Sequence, residues 1–177
     1  MRTWLQEKRK REQTARELYG SIVTQARAPH LYARWRVPDT REGRFEMLVL
    51  HLALVLRRLA REGAAGQQLG RTLAETFVTD MDDSMREMTV GDLAVPRYVK
   101  RAVTALYDRQ GDYTAALATG ADLQAVLQRH LSPFRGTEHM DAAAISAYIG
   151  GAARALDAQA GAEVLAGRIA WPPLSTP

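Results

Sequence analysis

The sequence contains no cysteine. It therefore excludes disulfide bonds, thiolate zinc sites, iron–sulfur clusters and a cysteine nucleophile. Long apolar runs are also missing: the longest candidate, residues 45–56, is too short to span a membrane and contains Glu46 and His51. No apolar segment with a cleavage site follows Arg2 and the basic run at residues 8–11, so a secretory signal is not expected. These absences favour a cytoplasmic protein.

The composition fits one globular domain, because the chain has 177 residues, of which 46% are apolar and 25% are charged. The positive charge is concentrated at the start: residues 1–16 carry six basic and two acidic side chains, and the remainder carries 18 of each sign. We predict a basic helical arm over residues 1–16, a helical domain over 17–165 and a proline-rich tail over 166–177. The tail is expected to be loose from Trp171 onward, where three of seven residues are proline.

Apolar residues recur at helical spacing along most of the chain, and the alternation typical of strands is almost absent. This pattern predicts an all-α fold, a single-domain irregular bundle of about six to eight helices. The central helix is predicted over residues 40–61, because it is apolar on nearly all sides. Gly111 is predicted to end a helix that begins at Pro96, and Asp112 to cap a short helix after it. The remaining helices are predicted over residues 3–26, 68–88, 123–131 and 138–160.

Residues with catalytic or metal-binding chemistry are scattered. The four histidines match no metal-ligand spacing, and Ser84 and Ser146 lack the surrounding G-x-S-x-G pattern of a nucleophile elbow. His51 lies on the apolar helix, where a hydrogen-bonded core or interface histidine is expected. We therefore predict a protein that is not an enzyme, with no catalytic residue, no metal site and no cofactor.

An acidic, methionine-rich stretch over residues 79–88 is the most unusual feature of the sequence. On a helix its face carries Met81 and Met85, edged by three carboxylates: Asp80, Asp83 and Glu87. The stretch lacks the central glycine of a calcium loop and the Glu-x-x-His pairs of a di-metal bundle.

Two interpretations of this stretch stay open. In the first, the methionines are core residues and the carboxylates pair with cations of the following helix: Arg97, Lys100 and Arg101. In the second, the methionine face forms an adaptable groove, because unbranched thioether side chains repack around varied apolar segments.

The N-terminal arm places Trp4 before four consecutive basic residues: Lys8, Arg9, Lys10 and Arg11. The arm has three interpretations: a solvated basic helix end, an anchor on anionic lipid with Trp4 at the interface, or a contact with phosphates of ribosomal RNA. It lacks stacked aromatics and a base-reading motif, so no DNA binding is predicted.

Several ordered, collinear stretches between residues 18 and 148 carry a family pattern. They are residues 18–23 (LYGSIV), 38–47 (PDTREGRFEM), 49–52 (VLHL), 77–83 (FVTDMDD), 86–93 (REMTVGDL) and 95–96 (VP). Together they resemble the ubiquinol–cytochrome c chaperone family. Met85 and Thr89 depart from the pattern, where leucine and glycine are expected.

The resemblance implies an all-helical assembly factor for the cytochrome bc complex, which is respiratory complex III. Family members bind newly made cytochrome b and hold it for haem insertion and assembly. Their mitochondrial relatives work with a small partner protein near the ribosomal tunnel exit. Because no presequence is seen, the chain resembles the bacterial branch, and we expect it in the cytoplasm, peripheral to the inner membrane.

We therefore predict a chaperone that binds apolar segments of cytochrome b on an exposed apolar surface near the second and third helices. The residues predicted to contact this client are Tyr32, Trp35, His51, Met81 and Met85. The residues predicted to fix the geometry of the surface are Asp80, Asp83, Glu87 and Arg97. The arm is predicted to keep the protein near the membrane or the ribosome. The rival hypothesis is a basic helical regulator that binds ribosomes or RNA and has no hydrophobic client.

Overall fold

The computed structural model describes residues 2–87, 94–131, 134 and 136–174. These residues form eight α-helices: α1 (Arg2–Ala26), α2 (Pro29–Ala33), α3 (Arg41–Leu59), α4 (Gly63–Glu87), α5 (Val95–Thr119), α6 (Leu123–Leu131), α7 (Ala142–Ala158) and α8 (Gly161–Leu165). Short 3₁₀ turns lie at Ala60–Glu62 and Thr137–His139, and these ranges contain no strand. The predicted all-α fold is confirmed.

Helix α3 is the centre of the bundle, as its nearly continuous apolar surface predicts. Thr40 caps it by accepting a hydrogen bond from the Gly43 amide at 3.2 Å. Every residue from Glu46 to Leu56 is buried, and α1, α4, α5 and α7 all pack against this helix. Its polar side chains find partners in the interior: Glu46 accepts two hydrogen bonds from Arg109 of α5, at 2.6 and 3.0 Å.

Side-chain contacts fix the direction of two helix pairs. Arg11 and Tyr19 of α1 contact Thr72 and Asp80 of α4, at 3.3 and 2.7 Å. Both contacts advance by eight residues along each helix, so α1 and α4 run parallel. The C-termini of α1 and α4 therefore lie at the same end of the bundle, and the basic N-terminus of α1 lies at the opposite end.

The end of α3 is joined to the end of α7 by arginines. Arg57 makes two hydrogen bonds to Asp157, at 3.0 and 2.8 Å, and Arg58 donates to the carbonyls of Leu156 and Gln159, at 2.8 and 2.9 Å. Carbonyls at a helix C-terminus lack intrahelical partners, so Arg58 caps α7 while it is itself almost completely buried.

Two local predictions are wrong. Gly111 does not end a helix, because α5 continues from Val95 to Thr119 and stops instead at Gly120 in the left-handed conformation, with φ of 70°. The tail is not loose between Trp171 and Leu174: Trp171 donates its indole N–H to Ser21 at 3.1 Å and packs edge-on against His51. The predicted end of the third helix at Met88, the stop at Gly91 and the closing Pro133 lie outside the described residues.

Candidate functional site

A groove opens where the end of α1, the start of α3 and the end of α4 meet. Its volume is about 510 Å³. The apolar part of its lining is formed by Val23, Phe45, Leu48, Met81 and Met85. We call it the methionine groove.

The groove exists because the apolar stripe of α4 extends beyond the part of the bundle that covers it. The stripe repeats every four residues, and its first members, Leu69, Leu73 and Phe77, are buried. One and two turns later, Met81 and Met85 are only half-buried. Phe45 of α3 lies 6.4 Å from Phe77, ring centroid to centroid, at the boundary between core and groove.

Charged side chains surround this apolar lining. Arg27, Arg41 and Arg44 lie on the α1 and α3 side, together with Asp39, and Glu87 lies at the end of α4. Arg44 donates to Asp39 at 2.6 Å. This hydrogen bond lowers the pKa of the Asp39 carboxyl below its ordinary value.

Tyr32 lines a second hollow that shares Arg27, Asp39 and Arg44 with the methionine groove. Its hydroxyl donates to the Ala26 carbonyl at 2.6 Å. Burial, more than its charged neighbours, raises the pKa of Tyr32 to about 12. Tyr32 therefore adds an apolar ring beside the groove, and its hydroxyl is already used.

The three predicted carboxylates do not form one charged edge. Asp80 accepts a hydrogen bond from the Tyr19 hydroxyl of α1 at 2.7 Å. The first interpretation paired it with a cation of α5, and its observed partner is this tyrosine instead. Asp83 is exposed and has no hydrogen bond or ion pair among the described residues, and Glu87 is exposed at the groove. The pairing of Asp80 ties α1 to α4 behind the groove.

Trp35 and His51 do not lie on an exposed apolar surface, and that prediction is wrong for both. Trp35 is 2% exposed and packs against His30 and Tyr148, with ring centroids 4.9 and 5.5 Å away. His51 is fully buried. His51 is buried because other helices cover α3 on all sides at the centre of the bundle.

His51 is instead the hydrogen-bonded core residue that its helix predicted. Its Nδ1 lies 2.7 Å from the Met47 carbonyl, which can only accept, so Nδ1 carries the proton. Nε2 then accepts from the Tyr148 hydroxyl at 2.9 Å, and that hydroxyl accepts from the Gln25 amide, also at 2.9 Å. Burial lowers the pKa of His51 to about 4, against a smaller opposing effect of the Met47 carbonyl.

Arg97 lies away from the methionine groove. It lines a separate shallow hollow on α5 with Lys100 and Arg101. The structure therefore does not bring Arg97 together with Met81 and Met85, although α5 follows α4 in the chain.

The residues predicted to form a basic arm belong to the first part of α1. Residues from Thr3 to Lys10 are all exposed, and Trp4 has 61% of its surface exposed. The exposed part ends at Arg11, which donates to Thr72 and Gln68 of α4, at 3.3 and 3.4 Å. Thr14 and Ala15, further along the predicted arm, are buried against the bundle.

Sequence reasoning missed several groove residues, among them Val23, Arg27, Arg41, Phe45 and Leu48. A signal for three of them was available, because Val23, Phe45 and Leu48 belong to the apolar faces of the first and second predicted helices. The described ranges contain no group of three or more histidine or acidic side chains placed to hold a metal ion. They also contain no helix with the length and apolar character that crossing a membrane requires.

The sequence model of the ubiquinol-cytochrome C chaperone family matches residues 33–171, which include most of the groove and all of α3 to α8. The chain belongs to this family. A structure similar to this family member is the crystal structure of the Cbp3 homolog from Brucella abortus, with a TM-score of 0.82 and 32% sequence identity. The match covers 98% of this chain and 96% of that chain. No match is found among the curated proteins. This ubiquinol–cytochrome c chaperone is an assembly factor of respiratory complex III.

Proposed function

We propose that this chaperone binds an apolar segment of newly made cytochrome b in the methionine groove, and that it acts without catalysis. The observation that supports this proposal most is the apolar stripe of α4, which continues as half-buried Met81 and Met85 beyond the last buried residue, Phe77. Covering a partly exposed apolar surface of this kind with another apolar segment is favourable, by about 25 cal/mol for each Å² removed from water.

Methionine suits a surface that must hold a segment only temporarily. Its side chain is unbranched and polarisable, so it can repack against different apolar shapes. A rigid, branched lining would select one shape and release it slowly. The groove is open, so a bound segment can leave when its final partners in the complex become available.

Tyr32 supports the same proposal from the adjoining hollow, because its ring extends the apolar lining past the Asp39–Arg44 ion pair. Asp80 supports it indirectly: its hydrogen bond to Tyr19 holds the end of α4 against α1, which forms one wall of the groove. We assign the exposed Asp83 and Glu87 of α4 to the polar rim of the client surface, whereas Arg97 lies in the separate hollow on α5.

We also propose that the exposed arm brings the protein to an anionic membrane surface. Trp4 and Leu5 are exposed large apolar residues, and they precede Lys8, Arg9 and Lys10 on the same exposed segment. Such a segment combines interfacial insertion with attraction to anionic lipid, about 1 kcal/mol for each cation near the surface. The arm alone supports the rival proposal, a ribosome- or RNA-binding regulator.

The test replaces the two groove methionines by serine, Met81→Ser and Met85→Ser. The measured quantities are the amount of cytochrome b that co-purifies with the chaperone and the unfolding temperature. We expect capture to fall about tenfold, whereas stability falls by about 1 kcal/mol for each half-buried methionine.

The matched control is Met140→Ser, because Met140 is also half-buried against the core but lies outside the groove. It is expected to lower the unfolding temperature by a similar amount for one residue and to leave capture unchanged. If the groove variant loses stability and capture in the same proportion as Met140→Ser, both methionines are simply core residues and the proposal fails.

A further inference from the structure

We infer that the methionine groove selects an apolar segment that carries an acidic side chain beside its apolar stretch. This inference rests on the proposed function and names the chemistry of the client segment. It depends on two arginines at the groove that form no ion pair with any other described residue.

Arginines that approach the interior elsewhere in the bundle have partners. Arg57 contacts Asp157, Arg58 contacts Glu62 and two carbonyls, and Arg109 contacts Glu46. These pairings follow from the cost of removing a charge from water without a compensating partner.

Arg27 and Arg41 are exposed at the groove, so water solvates their charges while the groove is unfilled. Both line the methionine groove, and their side chains make no hydrogen bond or ion pair with any residue that the structure describes. Arg44, the third arginine of the lining, is already engaged by Asp39. Within the described part of the chain, Glu87 at the end of α4 is the remaining acidic residue of the lining. The α1 and α3 side therefore has two positive charges without an ion-pair partner, and the described lining residues together have a net charge of +1.

An apolar segment that fills the groove displaces water from around Arg27 and Arg41. Their positive charges then interact more strongly with a nearby carboxylate, because the local dielectric constant falls. Arginine presents a planar fork of donors that matches a carboxylate in a bidentate, charge-assisted hydrogen bond. A segment with a lysine at the same point would instead place like charges together.

The test uses three labelled peptides with one common leucine–alanine helix, which carry glutamate, glutamine or lysine next to the apolar stretch. Binding to the full chain is measured by fluorescence anisotropy at low and at physiological ionic strength. We expect the glutamate peptide to bind about tenfold more tightly than the lysine peptide, with a smaller difference at the higher ionic strength.

The double variant Arg27→Gln and Arg41→Gln is expected to remove this preference and to keep binding of the glutamine peptide. The matched control, Lys100→Gln and Arg101→Gln, removes two cations from the separate hollow on α5 and is expected to keep the preference.

The outcomes distinguish failure of this inference from failure of the proposed function. Equal binding of the three peptides overturns the inference and leaves the proposed function standing. Failure of all three peptides to bind contradicts the proposed function as well. Displacement of the glutamate peptide by dodecanoate at matching concentrations would assign the groove to a free fatty acid and overturn the inference.

Discussion

His51 shows how one buried side chain links three helices. It joins α3 to Tyr148 of α7, and Tyr148 joins Gln25 of α1. Trp171 covers it from the tail, with ring centroids 5.2 Å apart. These neighbours are neutral, and the Met47 carbonyl offsets only part of the effect of burial on a positively charged imidazole.

His51 is therefore predicted to make the protein less stable in mild acid. The pKa of His51 is lowered from 6.5 to about 4 in the folded protein, so the unfolded chain binds a proton in this window that the folded chain does not. The free energy of unfolding should fall as the pH drops from about 6.5 to about 4, by up to about 1.4 kcal/mol for each pH unit from this residue.

Chemical denaturation of the wild type and of His51→Gln at several pH values checks this prediction. The variant should be less stable near neutral pH and should lose less stability in acid than the wild type. Some dependence will remain, because burial also lowers the pKa of His130. Parallel stability curves for the two proteins would contradict the assignment.

Two glycines illustrate how the same residue type acts differently within helices. At Gly66 in α4, an added Cβ would lie 2.0 Å from the Leu59 carbonyl oxygen, so the close approach of the helix start to α3 requires glycine. At Gly111 in α5, an added Cβ would meet nothing within 4 Å.

Gly111→Ala is predicted to stabilise the protein by about 0.5–1 kcal/mol, because alanine lowers the conformational entropy of the unfolded chain at a helical position. Gly66→Ala is predicted to destabilise it by about 2 kcal/mol, since the backbone must shift. The denaturant midpoints of the two variants give both values. A loss of stability in Gly111→Ala would mean that α5 is not continuous there.

The helices could be predicted from sequence where apolar spacing is strong, as for the fully apolar α3 and the stripe of α4. The prediction for Gly111 and Asp112 was wrong because glycine can either end a helix or occupy an exposed position within one. The local sequence does not distinguish these two cases. The methionine face was recognisable for the same reason as the stripe, since Met81 and Met85 continue it. The point at which the apolar stripe of α4 becomes exposed could not be predicted from the sequence of α4. It depends on where α1 ends and where α3 begins.

Contacts between segments that are far apart in the chain could not be predicted from the local spacing of apolar residues. Trp35 and His51 were placed on the surface although both pack around Tyr148, which lies about a hundred residues later in the chain. Trp171 was assigned to a loose tail because proline-rich ends are usually mobile, yet its indole ring covers His51. Family resemblance identified the type of protein before the structure showed which surface is open.

At the scale of the whole molecule, the arm and the methionine groove lie at opposite ends of α1, because α1 and α4 run parallel and the groove is at their shared end. Recruitment and client binding should therefore be separable. Removal of residues 1–10 stops before Arg11, whose contacts with α4 belong to the domain.

This truncation is predicted to reduce binding to vesicles of anionic lipid about tenfold and to leave cytochrome b capture within about twofold. Flotation and co-purification measure the two effects. The variant with Lys8, Arg9 and Lys10 all replaced by glutamine is the control that keeps the helix. Loss of capture together with ribosome binding in both variants would favour the rival regulator.

The central claim is that the open end of α4 holds the client, and crosslinking from that point tests it most directly. A photoreactive amino acid is placed at Met85 in the groove or, as control, at Tyr107, which is exposed on α5 outside the groove, in cells that make cytochrome b. The account predicts a cytochrome b adduct from position 85 and none from position 107. An adduct from position 107 alone, or from neither position while capture persists, would contradict it.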